Sequence, residues 1–350
     1  MMRIAVGALA MALPVVALVM ATPARAGDCS AGVYAALRKT ASEKAKPVEV
    51  DCDLSFAKTD VITMPIAFSG SASSGTVLDC NGGTLDGTLA KARTVLVRSV
   101  RRADGGWDAP KDILIRNCTI RGDVRIQGLG SNGQGNEVRL SSLATGHTER
   151  AQAAAPGNIA LRHVTFVANG GIPLYAAPGV TGMTVQDSRF TGSSTSTAIY
   201  LDAESARNRI VGNLFDIRTS WRETIAVDAS ADNRIENNTF ENPVNGGIFL
   251  YRNCGEGGTV RHQAPRRNVI RGNIFRYPDG VKPRPAVWLG SRQGVSLFNT
   301  YCLARPKTIL DSLDHRDGAD DNVVTGNRLP GGSLRLIVDS GDRNEISDNR

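Results

Sequence analysis

The chain has 350 residues, of which 21% are charged and 5% aromatic, and it carries a formal net charge of +7. Length alone admits two domains. The basic balance favours anionic partners, and with no dense Lys/Arg stripe it argues against nucleic acid. The first 26 residues read as a secretory signal peptide: Arg3, an apolar run from Ile4 to Met20, and Ala24-Arg25-Ala26 ahead of Gly27. That expectation places the protein in the periplasm or outside the cell. Its removal takes away two arginines and no acid, lowering the charge from +7 to +5. No later segment approaches the ~20 apolar residues that a membrane span needs.

All six cysteines follow the expected cleavage site. An even count in an exported chain suggests disulfides, and the absence of any C-x-x-C argues against a zinc or redox site. The preferred pairing is local: Cys29 with Cys52, Cys80 with Cys118, and Cys254 with Cys302. The first would tie a helix over Ala31–Lys44, with Val33, Ala36, Leu37 and Thr40 on one face, to the first strand. Residues 27–75 are thus expected to supply a cap helix and the first strands. From Gln127 to Pro156 the chain makes a long excursion holding Arg139, His147, Glu149 and Arg150, which could wall a groove.

Beyond it the pattern Asn-x-Ile/Val-x-x-Asn-x-Phe/Leu recurs. It reads Asn208…Asn213-x-Phe215, Asn233…Asn238-x-Phe240, Asn268…Asn273-x-Phe275, Asn322…Asn327-x-Leu329, and, cut off by the end of the sequence, Asn344…Asn349. Phe166 to Phe190 is 24 residues, Phe190 to Phe215 is 25, and Phe215 to Phe240 is 25. Phe240 to Phe275 is 35, a coil with an insertion, and Tyr301 stands as the repeat position between Phe275 and Leu329. A unit this short cannot bury its own apolar face and must stack on its neighbours. Alternation with Gly, Asn and Asp at the corners indicates short strands and turns. A second strand precedes each motif: Gly171–Tyr175, Ala198–Asp202, Thr224–Asp228, Gly247–Tyr251 and Ala286–Gly290. Its alternate aliphatic positions would point inward.

On these motifs the chain resembles the right-handed parallel β-helix family, which includes pectate lyases, polygalacturonases and NosD-type repeat proteins. The resemblance implies an all-β, right-handed parallel β-helix over residues 76–350, with the N-terminal helix as its cap. It also implies that Asn213, Asn238, Asn273 and Asn327 form a ladder of stacked amides. The sequence stops at Arg350 inside a motif, so either the gene is truncated or another chain covers that end.

Outward positions of successive coils form rows. One row would read Tyr175, Asp202, Asp228, Tyr251 and Gly290, and its neighbour Pro173, Tyr200, Ala226, Phe249 and Trp288. Asp202 and Asp228 would face water one coil apart, as a glycosidase acid pair or as oxygen ligands for Ca²⁺; no cofactor is otherwise required. The same two residues would also serve as turn formers at strand ends. Glu204 adds a third acid if its strand continues. The insertion after Tyr251, with Arg252, Asn253, Cys254, Glu256, Arg261, His262, Arg266 and Arg267, should hang beside this row. His262 is placed as a general acid or base, while Tyr200, Glu204, Tyr251, Arg252, Glu256 and Trp288 are placed against sugar. The expected function is cleavage of an anionic polysaccharide by an exported enzyme, with hydrolysis favoured. The missing Asn-Thr-Asp and Arg-Ile-Lys signatures depart from the polygalacturonases. A lyase or C5-epimerase using Arg252, His262 and Tyr251 stays open, as does a non-catalytic envelope solenoid that binds glycan.

Overall fold

The computed structural model describes residues 26–292 and 316–350. The body of the expected signal peptide, Tyr301 and Cys302 lie outside these residues. Three parallel sheets run the length of the molecule, of ten, ten and eight strands. The first sheet runs from Val48–Glu49 to Ile337–Asp339, the second from Leu54–Ser55 to Glu345–Ser347, and the third from Val61–Ile62 to Ile274–Arg276. Each of the first eight windings contributes one short strand to each sheet, and the last two contribute to the first and second sheets, so the fold is a right-handed parallel β-helix. Winding begins at Val48, because the strands at 48, 54 and 61 already pair in register with those of the next coil.

The corners explain the repeated asparagines. A residue in the left-handed region stands immediately before each ladder asparagine: Gly212, Asn237, Gly272, Gly326 and Asp348 at one bend, and Arg207, Asp232, Arg267, Asp321 and Arg343 at the other. Left-handed backbone is costly for most side chains, and the following amide holds it. The Asn213 backbone N–H and side-chain NH₂ both donate to Asn238 Oδ1, at 2.9 and 3.0 Å. The pattern passes to Asn273, Asn327 and Asn349. A second ladder, built the same way, joins Asn208, Asn233, Asn268, Asn322 and Asn344. Inside, Phe166, Phe190, Phe215, Phe240 and Phe275 stack with centroids 4.4–4.8 Å apart.

Several details differ from the sequence reading. The capping helix α1 is Ala31–Leu37 and stops before Lys44. Tyr301 is not a repeat position, since the Asn273 N–H reaches Asn327 directly and Ile274 pairs with Arg328. Asn273 and Asn327, 54 positions apart, are thus adjacent rungs of the ladder. Cys29–Cys52 and Cys80–Cys118 are disulfides as expected. Cys254 is disulfide-bonded too, and its expected partner Cys302 lies outside the described residues. Among the described residues no helix is long and apolar enough to cross a membrane.

Candidate functional site: a covered polar row on the first sheet

Register corrects the outward rows. Tyr175 pairs with Tyr200, not with Asp202, and the row continues through Ala226, Phe249 and Trp288 to Val338. Asp202 therefore lies level with Ala177 on one side and Asp228 on the other, and Asp228 pairs with Tyr251. The two aspartates are neighbours, as the repeat demanded, but they do not face water: Asp202 is 1% exposed and Asp228 0%. A short two-helix cover explains this. Helices α2 (Asn136–Ser142) and α3 (His147–Ala154) come from the Gln127–Pro156 excursion. They meet the 252–267 insertion over the sheet, where Val260 N–H donates to Ser142 Oγ at 3.0 Å. The excursion roofs the aspartate row, and its outer side lines cavities beside Trp107.

Beneath this cover the carboxylates are hydrogen-bonded by tyrosines and an asparagine. Tyr175 donates to Asp202 Oδ2 at 2.5 Å and Tyr200 to Asp228 Oδ2 at 2.8 Å. Asn253 clamps Asp228 with its backbone N–H at 2.9 Å and its side-chain NH₂ at 2.8 Å. The Arg261 guanidinium, 1% exposed, stands 3.7 Å from Asp202 Oδ1 and 3.9 Å from Asp228 Oδ2. Its Nη1 donates to the Gly133 carbonyl at 3.2 Å, whereas Nε and Nη2 make no hydrogen bond. Gly133 permits this approach, because a Cβ there would lie 2.2 Å from the guanidinium. Farther along, Tyr251 donates to Glu223 Oε1 at 3.0 Å, and Arg222 binds both of them. Arg292 lies over the Tyr251 ring at 4.1 Å, and Arg125 over Tyr175 at 4.0 Å.

Burial sets the protonation of this cluster. It raises the carboxyl of Asp202, an effect opposed by Arg261 and reinforced by Asp228. It also raises Glu204, and it pushes Asp317 up to about 6. For Tyr175 and Tyr200, burial and then the nearest carboxylate, Asp202 and Asp228 respectively, lift the phenol well above its ordinary range; Tyr251 is lifted likewise by burial and Glu223. These tyrosines are held as donors, the reverse of what a Tyr base needs. Burial works against the charge of Arg261, but Asp202 and Asp228 more than offset it.

The remaining expected site residues are scattered. The strand ends at Leu201, and Glu204 turns inward with φ 62°. Its carboxylate fastens the cover, accepting from Thr148 Oγ1, from His262 N–H at 2.8 Å and from Gln263 N–H at 3.1 Å. The His262 ring makes a 2.9 Å hydrogen bond between Nε2 and the Ser142 carbonyl, and packs edge-on against His147. It also lines a cleft of about 210 Å³ with Arg252, Gln263, Arg266 and Arg267. The Arg252 guanidinium donates to the Arg316 carbonyl. Glu256 is exposed on a short 3₁₀ turn, Glu256–Gly258. Trp288 packs edge-on against Phe249 and is half-buried. Sequence reasoning missed Arg125, Arg222, Glu223 and Arg292, which lie outside the repeated motif. It also missed Trp107 and Trp221, the latter 79% exposed. No group of His, Cys, Asp or Glu among the described residues is arranged to hold a metal ion.

Residues 107–277 match the family model described as "Right handed beta helix region". No curated protein matches the chain. Among solved structures, the Streptococcus pneumoniae surface protein and adhesin PfbA is 14% identical with a TM-score of 0.48, covering 85% of this chain and 78% of its own. An alginate lyase from Paenibacillus sp. str. FPU-7 is 11% identical with a TM-score of 0.34, over 91% and 95% of the two chains. The Azotobacter vinelandii mannuronan C-5 epimerase AlgE6 A-module is 11% identical with a TM-score of 0.35, over 85% and 79%. With its three stacked sheets and the matched segment at its centre, the chain is a right-handed parallel β-helix protein.

Proposed function

We propose that this protein is an exported solenoid that binds an anionic polysaccharide along its flank and does not hydrolyse it with Asp202 and Asp228. The observation that carries this reading is the sealing of the two aspartates beneath the cover, against a buried arginine. Asp202 and Asp228 are sealed, and a guanidinium stands against both of them, where a hydrolase needs substrate and water. On the outer side of the same loop, Arg266 and Arg267 line the His262 cleft with 44% and 60% of their side chains exposed, while pairing with Asp320 at 3.3 Å and Asp232 at 2.7 Å. Arginines present paired donors that suit carboxylate or sulfate groups. Acidic and neutral polysaccharides immobilised side by side test the reading. Retention on the acidic matrix alone, falling as salt rises, is expected of the mature protein; equal retention on both, or none on either, would contradict it.

A further inference from the structure

Outside the cover, beside the early windings, the structure carries a trough that the sequence did not signal. Two cavities, of about 480 and 420 Å³, meet at Trp107. Arg101, Trp107 and Leu129 line both, so the two are halves of one open channel running past the indole. The indole is presented by a small antiparallel hairpin in which Arg101 pairs with Trp107. The strand after the turn is pinned by Asp108, whose carboxylate accepts the Ser71 N–H at 2.9 Å. Leu140 and Ala153 from the cover helices form one wall, and Arg98 and Gln127 from the first sheet continue the other half.

The channel is basic. Arg98 is paired with Glu49, and Arg102 with Asp104. Arg101 and Arg150 make no ion pair among the described residues. The Arg101 guanidinium lies over the Trp107 ring at 5.1 Å. Arg150 spends its donors on the carbonyls of Ser141, Ala144 and Thr145 and on Ser141 Oγ, which fix the group without cancelling its charge. Glu137 is the one acid lining either half. The indole, with Arg101 over one ring face and Arg150 lining the same cavity, offers its other face to a ring and the two cations as counter-charge for an acidic substituent. An elongated, open channel suits a chain more than a compact metabolite.

We infer that the Trp107 trough is a binding site for a stretch of acidic sugar polymer, a uronate chain in its simplest form, with Trp107 stacking on a ring and Arg101 and Arg150 facing the carboxylates. This inference rests on the binding reading above and adds to the His262 cleft a second, separate surface for the same polymer. The test is titration of the mature protein with a galacturonate hexamer and with a neutral glucan hexamer. The wild type and the W107A and R101Q variants are compared, with circular dichroism to verify folding. A W221F/W288F double variant leaves Trp107 as the only indole, so its fluorescence reports the trough directly. The expected result is binding of the acidic hexamer alone, roughly tenfold or more weaker in W107A and several-fold weaker in R101Q, with a fluorescence change in the single-indole protein. If the wild type binds the acidic hexamer while both variants bind equally well and the indole is silent, the trough is wrong and the binding reading stands. If the wild type binds neither hexamer, or both alike, the two fall together.

Discussion

Arg261 carries a full charge into a place almost free of water, and the side chains around it are organised by that fact. Removing one partner of a buried ion cluster typically costs ~3–5 kcal/mol, because the other charge is left uncompensated. Arg261→Met is therefore expected to lower stability by about that amount, and pairing it with Asp202→Asn and Asp228→Asn should return part of the loss; urea unfolding of the four proteins measures both. A strictly additive result would show that the three groups are not coupled. His147, beneath the cover, gives a second prediction. Burial, then His262, Arg150 and Arg261, holds its imidazole down at about 3 against an ordinary 6.5, and its Nε2 has no hydrogen-bond partner. The neutral ring is thus favoured in the fold, and the unfolded chain binds the extra proton first. Its contribution is complete above about pH 6.5 and lost as pH falls towards 3. Asp317, raised to about 6, runs the other way: its contribution is fullest below about pH 4 and is lost as pH rises through 6. Stability against pH for His147→Asn, subtracted from wild type, should isolate the first trend; an unchanged pH slope would contradict the assignment.

At the scale of elements, one carboxylate fastens both parts of the cover to the windings. Glu204 alone receives Thr148 from helix α3 and the backbone of His262 and Gln263 from the insertion. Glu204→Ala leaves two backbone N–H groups without their acceptor, each at a cost of ~1–3 kcal/mol. The expected outcome is faster amide exchange over 136–154 and 253–263, with the windings below unchanged; uniform protection in the variant would show that the cover is held elsewhere. The windings were readable because their residues repeat. Phe215 predicts Phe240, and Asn213 predicts Asn238, since each coil solves the same packing problem with the same side chains. The cover was not readable, because the contacts that close it join residues more than a hundred positions apart, as Val260 does with Ser142. The aspartates show the same divide. Their adjacency followed from the repeat, whereas their burial depended on the Gln127–Pro156 excursion folding onto a loop that begins at Arg252. The Tyr175 row failed for a smaller reason, a shift of two residues in one strand of the first sheet.

Across the whole molecule, stability is a sum of windings and of the interfaces between them. Asn238 sits in mid-ladder, accepting from Asn213 and donating to the Ile210 carbonyl and to Asn273. Asn238→Ala should destabilise the fold by ~2–4 kcal/mol in denaturant unfolding, more than the same change at the terminal Asn349; equal costs would mean that the ladder does not act as a continuous stack. A solenoid so built presents a long flank on which arginines alternate with their acid partners, and the proposed retention of an acidic chain rests on the sealed aspartates and on the Trp107 trough. The most direct test incubates the mature protein with a uronate polymer. Three readings are taken together: retention, chain length from reducing and unsaturated ends, and sugar configuration by NMR. Retention with length and configuration unchanged is the predicted result. Chain shortening or epimerisation that disappears in a folded Asp202→Asn protein would contradict the account and return the covered row to catalysis.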